Sequence, residues 1–457
     1  MCPLYPLQYI LMYLILLWPL WLFTCVLAYE LPKLSVQYEF ENITVEMDKA
    51  KEVNFQINNL KENSISSINI LSKDPDILKV ERQIVFDDAN YDMNYLNSSF
   101  NATGVWLGKT EVFIQAINQK NEKINITKTL PATVIRKDRV IDHIFTGSVI
   151  TLVSILYINF GCALDWSYLK ETIKKPIGPV IGFFGQFLIM PVLSFVLGRS
   201  LFPDSPALQL GMFFTGVSPA GGASNIWTYI LGGNINLSIA MTTISTFAAF
   251  GMMPLWIFTL GRVIFNSSDS LKVPYMKIGQ FAFALVVPLA IGYLIQKYAP
   301  NFCKIMVRIL KPLASFLLLF IIIFAVVTNT YLFDLFSWRM VVAGLGLPWL
   351  GYLLGMVSAI ILKQNAKDVL AISIETGIQN TGIAIFLLRI TLQQPEADLT
   401  TVVPVAVAVM TPFPLMLLFF VKKCRARYNQ KKTVLHIMEN GRDLEDKQHV
   451  ETLTANQ

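Results

Sequence analysis

Long apolar runs occupy residues 139–421, and they constrain the fold of this chain more than any other feature. A helix needs about 20 apolar residues to cross the hydrocarbon core of a bilayer. Charged residues make up only 15% of the chain, against about a quarter in a typical soluble domain. The deficit is local, because residues 30–138 and the tail from Lys422 are polar. The sequence therefore predicts three parts, of which the middle one lies in a membrane.

The apolar region predicts an all-α polytopic membrane domain over residues 139–421, followed by a cytoplasmic tail over 422–457. About nine spans are expected, at 142–163, 178–199, 206–231, 236–260, 276–296, 310–333, 339–362, 369–391 and 400–421. The predicted inside loops are rich in basic residues, which is the usual positive-inside bias. They include Lys170, Lys174, Lys175, Lys297, Lys304, Arg308, Lys311, Lys363 and Lys367. The net charge of +6 thus reflects topology, and no nucleic-acid partner is expected.

The N-terminal residues predict secretion of the part that follows them. Residues 6–29 carry no charge, which predicts a signal peptide over 1–28, or an uncleaved signal anchor because no basic residue precedes the apolar run. Residues 29–138 show short alternating runs that predict a small, all-β, sandwich-like extracellular domain. Either a glycosylated cap or a ligand-binding domain fits this pattern. Glycosylation sequons begin at Asn42, Asn97, Asn101, Asn125 and, in a predicted outside loop, Asn266.

Two of the predicted spans contain helix-breaking residues at mid-membrane. The third reads Ser218-Pro219-Ala220-Gly221-Gly222-Ala223-Ser224-Asn225, and the eighth reads Glu375-Thr376-Gly377-Ile378-Gln379-Asn380-Thr381-Gly382. Broken backbone inside a membrane is tolerated only where protein or a water-filled cavity satisfies it. Paired interruptions of this kind are typical of transporters built from inverted repeats.

A carboxylate at mid-membrane needs a reason, because a charge there costs about 2.5–3.5 kcal/mol. Glu375 is therefore interpreted as a cation ligand, with a protonated structural carboxylate as the alternative. The surrounding amides and hydroxyls are hard oxygen donors, which suit Na⁺ better than soft metals. The sequence contains no nucleophile elbow, Walker loop or zinc motif, so no enzyme, cofactor or metal other than sodium is expected.

At these positions the chain resembles the sodium/bile acid cotransporter family over about residues 143–421. The similar stretches are Phe160–Leu164, Gln186–Pro191, Ser218–Asn225, Asn236–Thr243 with Gly251–Pro254, and Glu375–Asn380. The resemblance implies a panel domain and a core domain in which two broken helices cross. It assigns one sodium site to Ser224, Asn225, Ser238, Thr242 and Glu375, and a second to Gln186, Glu375 and Gln379. It also implies that Asn380 contacts substrate.

The resulting hypothesis is a plasma-membrane symporter that couples Na⁺ to the import of an amphipathic organic anion by alternating access. A bile acid or a steroid sulfate would be such a substrate. The long extracellular domain and the apolar ninth span depart from the family pattern and leave the substrate open. The competing hypothesis is a receptor or adhesion protein whose membrane part is a scaffold.

Overall fold

The computed structural model describes residues 34–428, except 61–64, 87–94, 127, 138, 164–175, 267–275, 277–279, 281–283, 285 and 329–336. The predicted signal segment 1–28, the basic residues Lys170, Lys174 and Lys175, and the tail beyond Tyr428 lie outside the described residues. The chain divides into two compact units, Met1–Lys137 and Asp138–Gln457.

The regular secondary structure of the described residues of the first unit consists of β-strands in two sheets, which confirms the all-β prediction. One sheet has the order β1-β3-β7-β5 and the other β2-β10-β8-β4-β6, with β9 beside β8. Within the second sheet β2 pairs parallel to β10, whereas the other neighbours are antiparallel. The strands are β1 Ser35–Tyr38, β2 Ile43–Glu46, β3 Ala50–Asn58, β4 Ile65–Ser72, β5 Leu78–Lys79, β6 Glu81–Val85, β7 Tyr95–Gly104, β8 Gly108–Asn118, β9 Lys123–Asn125 and β10 Leu130–Ile135.

The two sheets share one apolar core, because alternate side chains of their strands point inward. Val53 and Phe55 of β3 and Phe100 of β7 pack with Ile68 of β4 and Ile114 of β8 in a single buried cluster. The intervening residues face solvent. Three of the predicted glycosylation sites, Asn42, Asn97 and Asn101, are exposed.

The second unit is all-helical, as expected for the membrane part. Within the described residues, five helices are long and apolar enough to cross a bilayer: α1 (Val140–Cys162), α2 (Ile177–Leu201), α5 (Ile235–Ile264), α8 (Trp338–Ile361) and α11 (Glu396–Tyr428). Two shorter apolar helices, α3 and α10, are halves of discontinuous helices described below. The helices are α1 Val140–Cys162, α2 Ile177–Leu201, α3 Pro206–Val217, α4 Ala223–Ile230, α5 Ile235–Ile264, α6 Val286–Tyr298, α7 Pro300–Thr328, α8 Trp338–Ile361, α9 Ala366–Gly377, α10 Thr381–Thr391 and α11 Glu396–Tyr428.

Local signals explain where the central helices start. The Ser205 hydroxyl accepts a hydrogen bond from the Leu208 amide and Pro206 occupies the first turn of α3, a combination that favours a helix N-terminus. The Asn365 side chain likewise caps α9. Helices α2, α3, α5 and α10 then bury a common core that includes Phe187, Phe213 and Leu387. This packing holds the breaks in α3–α4 and α9–α10 in the interior.

Candidate cation site

The breaks of the two discontinuous helices are hydrogen-bonded to each other. Helix α3 ends at Val217 and α4 begins at Ala223, whereas α9 ends at Gly377 and α10 begins at Thr381. Between these ends the chain is extended, and Ala220 pairs antiparallel with Gln379. The Gly221 amide donates to the Ile378 carbonyl at 2.9 Å, and the Asn380 amide donates to the Pro219 carbonyl at 2.8 Å. Each break therefore satisfies polar backbone groups of the other.

The residue types at the breaks suit this geometry. Pro219 has no amide hydrogen, so it cannot continue the hydrogen bonding of α3. A Cβ atom on Gly221 would lie 2.9 Å from the Gln379 carbonyl oxygen, which only a glycine avoids. The Asn380 side chain accepts a hydrogen bond from the Ile383 amide at 3.3 Å and caps α10. Asn380 was predicted to contact substrate, and the structure shows it as the N-terminal cap of α10.

Glu375 lies in the last turn of α9 and is only 2% exposed. Its two carboxyl oxygens contact hydroxyl groups of α5. Ser238 Oγ lies 2.9 Å from Oε2, and Thr242 Oγ1 lies 2.5 Å from Oε1. The four-residue spacing of Ser238 and Thr242 places both hydroxyls on one face of α5. The carboxyl group of one broken helix is therefore held against a continuous helix.

Asn225 of α4 completes this cluster, and the cluster has fewer protons than contacts. The Asn225 Oδ1 atom lies 2.8 Å from Ser238 Oγ and 3.4 Å from Thr242 Oγ1. Thr242 Oγ1 also lies 3.0 Å from the Ser238 carbonyl oxygen. With the two contacts to Glu375, and with Glu375 ionised and the Asn225 amide oriented as in the structure, two hydroxyl protons are shared by five oxygen–oxygen contacts. A hydroxyl donates one proton, so most of these contacts are not hydrogen bonds at any moment. A cation among the oxygens would convert their mutual repulsion into attraction.

Two further hydroxyls border the cluster. Ser224 is buried. Its Oγ makes no hydrogen bond of regular geometry within the described part of the chain, although it lies close enough to the Glu375 carboxyl to interact with it. Thr228 Oγ1 lies 3.3 Å from Ser238 Oγ. A buried hydroxyl whose hydrogen bonding is incomplete costs free energy, so Ser224 fits a site in which its oxygen coordinates an ion. The structure thus brings all five residues of the first predicted site together.

Two of the three residues of the second predicted site contact each other directly. Gln186 Nε2 donates to Gln379 Oε1 at 2.5 Å and to the Ser218 carbonyl at 2.6 Å. Gln379 Nε2 contacts Gln186 Oε1 at 3.4 Å and donates to the Thr376 carbonyl at 2.9 Å. Gln186 lies on a π-helical turn, Gly185–Ile189, a feature common at functional sites. Among the described residues, no hydrogen bond joins Glu375 to either glutamine.

Some polar residues at the breaks were missed by sequence reasoning. Ser245 Oγ contacts the Ala220 amide at 3.4 Å and donates to the Thr242 carbonyl at 3.0 Å. It therefore connects α5 to the first break. A signal was present, because Ser238, Thr242 and Ser245 follow the i, i+4, i+7 spacing of one helix face. Thr228 gave no comparable signal.

Comparisons with known proteins identify similar chains. Residues 149–334 match the sequence model described as Sodium Bile acid symporter family. The human P3 protein is 32% identical over 260 residues, which cover 56% of this chain and 54% of that protein. The human hepatic sodium/bile acid cotransporter is 30% identical over 237 residues, covering 51% of this chain and 67% of that protein. The human sodium-dependent organic anion transporter is 31% identical over 254 residues, which cover 55% of this chain and 66% of that protein.

The similarity is confined to part of each chain. The match spans about half the length of the P3 proteins, with 54% coverage in the human, mouse and bovine sequences. The residues matched to the family model lie wholly within the helical unit. They include Gln186, Ser224, Asn225, Ser238 and Thr242, but not the half-helix that carries Glu375.

Proposed function

Because this chain belongs to the sodium bile acid symporter family, we propose that it is a sodium-coupled symporter that imports an amphipathic organic anion. One observation carries this proposal. The carboxyl group of Glu375, the Asn225 amide oxygen and the hydroxyls of Ser238 and Thr242 form a buried oxygen cluster with too few protons. A scaffold protein has no need for such a cluster at the centre of its membrane part.

The charge of the cluster favours a monovalent cation. Glu375 supplies one negative charge, and the other donors are neutral oxygens from amide, carbonyl and hydroxyl groups. Divalent ions are hard cations as well, but strong sites for them usually combine several carboxylates. One carboxylate balances one Na⁺. We assign Ser224, Asn225, Ser238, Thr242 and Glu375 to a first sodium site, and Gln186, Glu375 and Gln379 to a second.

The proposed topology follows from the helices and from the charge pattern of the loops. Helices α3–α4 and α9–α10 each form one discontinuous span, which together with the continuous helices gives nine crossings in two inverted repeats. The domain of residues 29–138 lies outside the cell, glycosylated at Asn42, Asn97, Asn101, Asn125 and Asn266. The tail 422–457 lies in the cytoplasm, and the plasma membrane is the proposed location.

Sodium binding can be coupled to transport because the first site joins three helices. Asn225 belongs to α4, Ser238 and Thr242 to α5, and Glu375 to α9. An ion shared by these side chains would hold the two broken helices in one arrangement. The N-terminal ends of α4 and α10 carry partial positive charge, which favours the anionic group of a substrate near Asn380. Alternating access would then expose this ion-filled crossing to one side of the membrane at a time.

A flux measurement tests the proposal. The full chain is reconstituted into vesicles, and uptake of a panel of bile acids, steroid sulfates and other amphipathic anions is measured with an inward gradient of Na⁺ or of K⁺. At least one anion should accumulate in the sodium gradient alone. If no anion responds to sodium and the purified protein is not stabilised by sodium, the receptor hypothesis replaces the symporter.

A further inference from the structure

A deep groove lies in the helical unit on the side of α9 that faces α8 and α11. Its volume is about 670 Å³, within the usual range of ligand sites. Its walls are mostly apolar, with Trp349, Leu353 and Ile360 on α8 and Leu418 on α11. The polar side chains that line it within the described residues are Tyr352, Gln364, Ser373 and Lys422, and none of these is acidic.

The groove opens to the surroundings of the helices. Trp349 is 44% exposed, Leu353 47% and Ile360 56%, and all three lie on a helix long and apolar enough to span a membrane. Because such a helix would lie in the bilayer, we expect the surroundings of these side chains to be hydrocarbon rather than water. The occupant must therefore be soluble in the lipid phase, which excludes ions and small polar solutes.

The length of the groove matches one leaflet. Trp349 and Ile360 are eleven residues apart on α8, which corresponds to about 16 Å at the helical rise of about 1.5 Å per residue. Half of the hydrocarbon core is about 15 Å. One end lies near mid-membrane, where Ser373 precedes Glu375 by two residues. The other end lies where α8 and α11 leave the apolar region, at Gln364 and Lys422.

Among the described lining residues, charge is found at the second end alone, and it is positive. Lys422 Nζ donates a hydrogen bond to the Leu231 carbonyl at 2.8 Å, which fixes the ammonium group at the mouth of the groove. The exposed residues Lys423, Arg425 and Arg427 follow on the same helix. A cluster of basic residues beside a membrane span attracts anionic lipid headgroups.

We propose that this groove binds an anionic phospholipid, with one acyl chain along α8 and the phosphate at Lys422. The lipid would fill a space that none of the described side chains occupies, and its headgroup would bridge Lys422 to the neighbouring basic residues. Because Lys422 holds Leu231 at the end of α4, and Ser373 lies on α9, the bound lipid supports both half-helices that carry the cation site. The lipid site is independent of sodium coupling and of the transported anion.

Photolabelling tests the site. The full chain is placed in phosphatidylcholine nanodiscs with a trace of phosphatidylserine that carries a diazirine on its acyl chain, and the labelled peptides are identified by mass spectrometry. Peptides covering residues 349–374 and 414–422 should be labelled. Unlabelled phosphatidylserine should compete, whereas added phosphatidylcholine should not. Lys422→Gln should lower the apparent affinity of unlabelled phosphatidylserine in this competition about fivefold, which is the effect of removing one basic charge near the membrane surface. Lys423→Gln should lower that affinity less.

A groove-filling variant separates this site from ordinary lipid contact. Met356 lines the groove, whereas the adjacent Val357 does not, and the two are similarly exposed at 38% and 40%. Met356→Trp should abolish labelling of the two peptides, and Val357→Trp should leave it intact. Equal competition by phosphatidylcholine, labelling that survives Met356→Trp, or displacement of the phospholipid by a sterol would each overturn the proposal.

Discussion

The amide of Gly221 donates a hydrogen bond across 2.9 Å to the carbonyl oxygen of Ile378, a residue on a different broken helix. This bond, with its neighbour from Asn380 to Pro219, makes the two breaks a single structural unit. The proposed cation site lies directly beside it, since Ser224 and Asn225 follow the first break and Glu375 precedes the second. The geometry of the site therefore depends on the contact between the breaks.

Gly221→Ala should damage this contact and the sodium response together. The new methyl group would lie 2.9 Å from the Gln379 carbonyl oxygen, and overpacking of this kind costs about 1–3 kcal/mol. Thermal unfolding and sodium-driven uptake should both be impaired. Gly251→Ala is the control, because a Cβ atom there meets nothing within 4 Å. Normal sodium-driven uptake by Gly221→Ala would show that the breaks do not meet as described.

Asn225→Ala should separate stability from sodium binding. In the absence of sodium, the Asn225 oxygen competes with Glu375 for the proton of Ser238, so its removal should cost little stability or none. In sodium, the variant lacks one ligand and should gain almost no thermal stabilisation. Ser238→Ala should be milder, because a water molecule can replace one hydroxyl. A large loss of stability without sodium in Asn225→Ala would contradict the proton shortage.

The pair formed by Gln186 and Gln379 should determine how many sodium ions are coupled to the uptake of one substrate molecule. Gln186→Met removes the amide that contacts Gln379 and Ser218, while the cluster around Glu375 keeps its ligands. Sodium should still stabilise the purified protein, but the Hill coefficient of uptake for sodium should fall from about two towards one. Gln209→Met is the control, since Gln209 is buried on α3 and bonded to Phe202. An unchanged Hill coefficient in Gln186→Met would exclude a second site there.

Glycosylation should report the topology. Mass spectrometry of glycopeptides is expected to find glycans on sequons of the extracellular domain, with Asn97 and Asn101 favoured because both are exposed on β7. Asn236 also begins a sequon and is exposed, but the proposed topology places it on the cytoplasmic side. It should therefore carry no glycan, and a glycan at Asn236 would invert the topology.

The sequence predicted the breaks because their residue types act locally. Pro219 and Gly221 oppose a helix wherever they occur, and a carboxylate such as Glu375 is costly at mid-membrane regardless of its neighbours. The clustering of Ser224, Asn225, Ser238, Thr242 and Glu375 was expected only from the family resemblance. In the structure these residues lie together, and the contacts among their oxygens outnumber the protons that the Ser238 and Thr242 hydroxyls can donate.

Other features depend on tertiary packing and could not be predicted from local patterns. Ala220 and Gln379 are far apart in the chain, and nothing near either residue indicates that they pair. The π-helical turn at Gln186 shifts the following residues by one position, and no residue in the turn signals it. Asn380 was assigned to substrate, whereas its spacing from Ile383 also fits the helix cap that the structure shows.

The most direct test of the account is the thermal stability of the purified full chain as a function of sodium. Sodium at about a hundred times its dissociation constant should stabilise the protein by about 2.7 kcal/mol, whereas potassium should not. Glu375→Gln keeps the shape of the side chain but removes its charge, so it should abolish the sodium effect. Asp368→Asn, on the same half-helix but outside the cluster, should retain it. If Glu375→Gln unfolds at the same temperature and responds to sodium as the natural protein does, Glu375 is not a sodium ligand and the central claim is wrong.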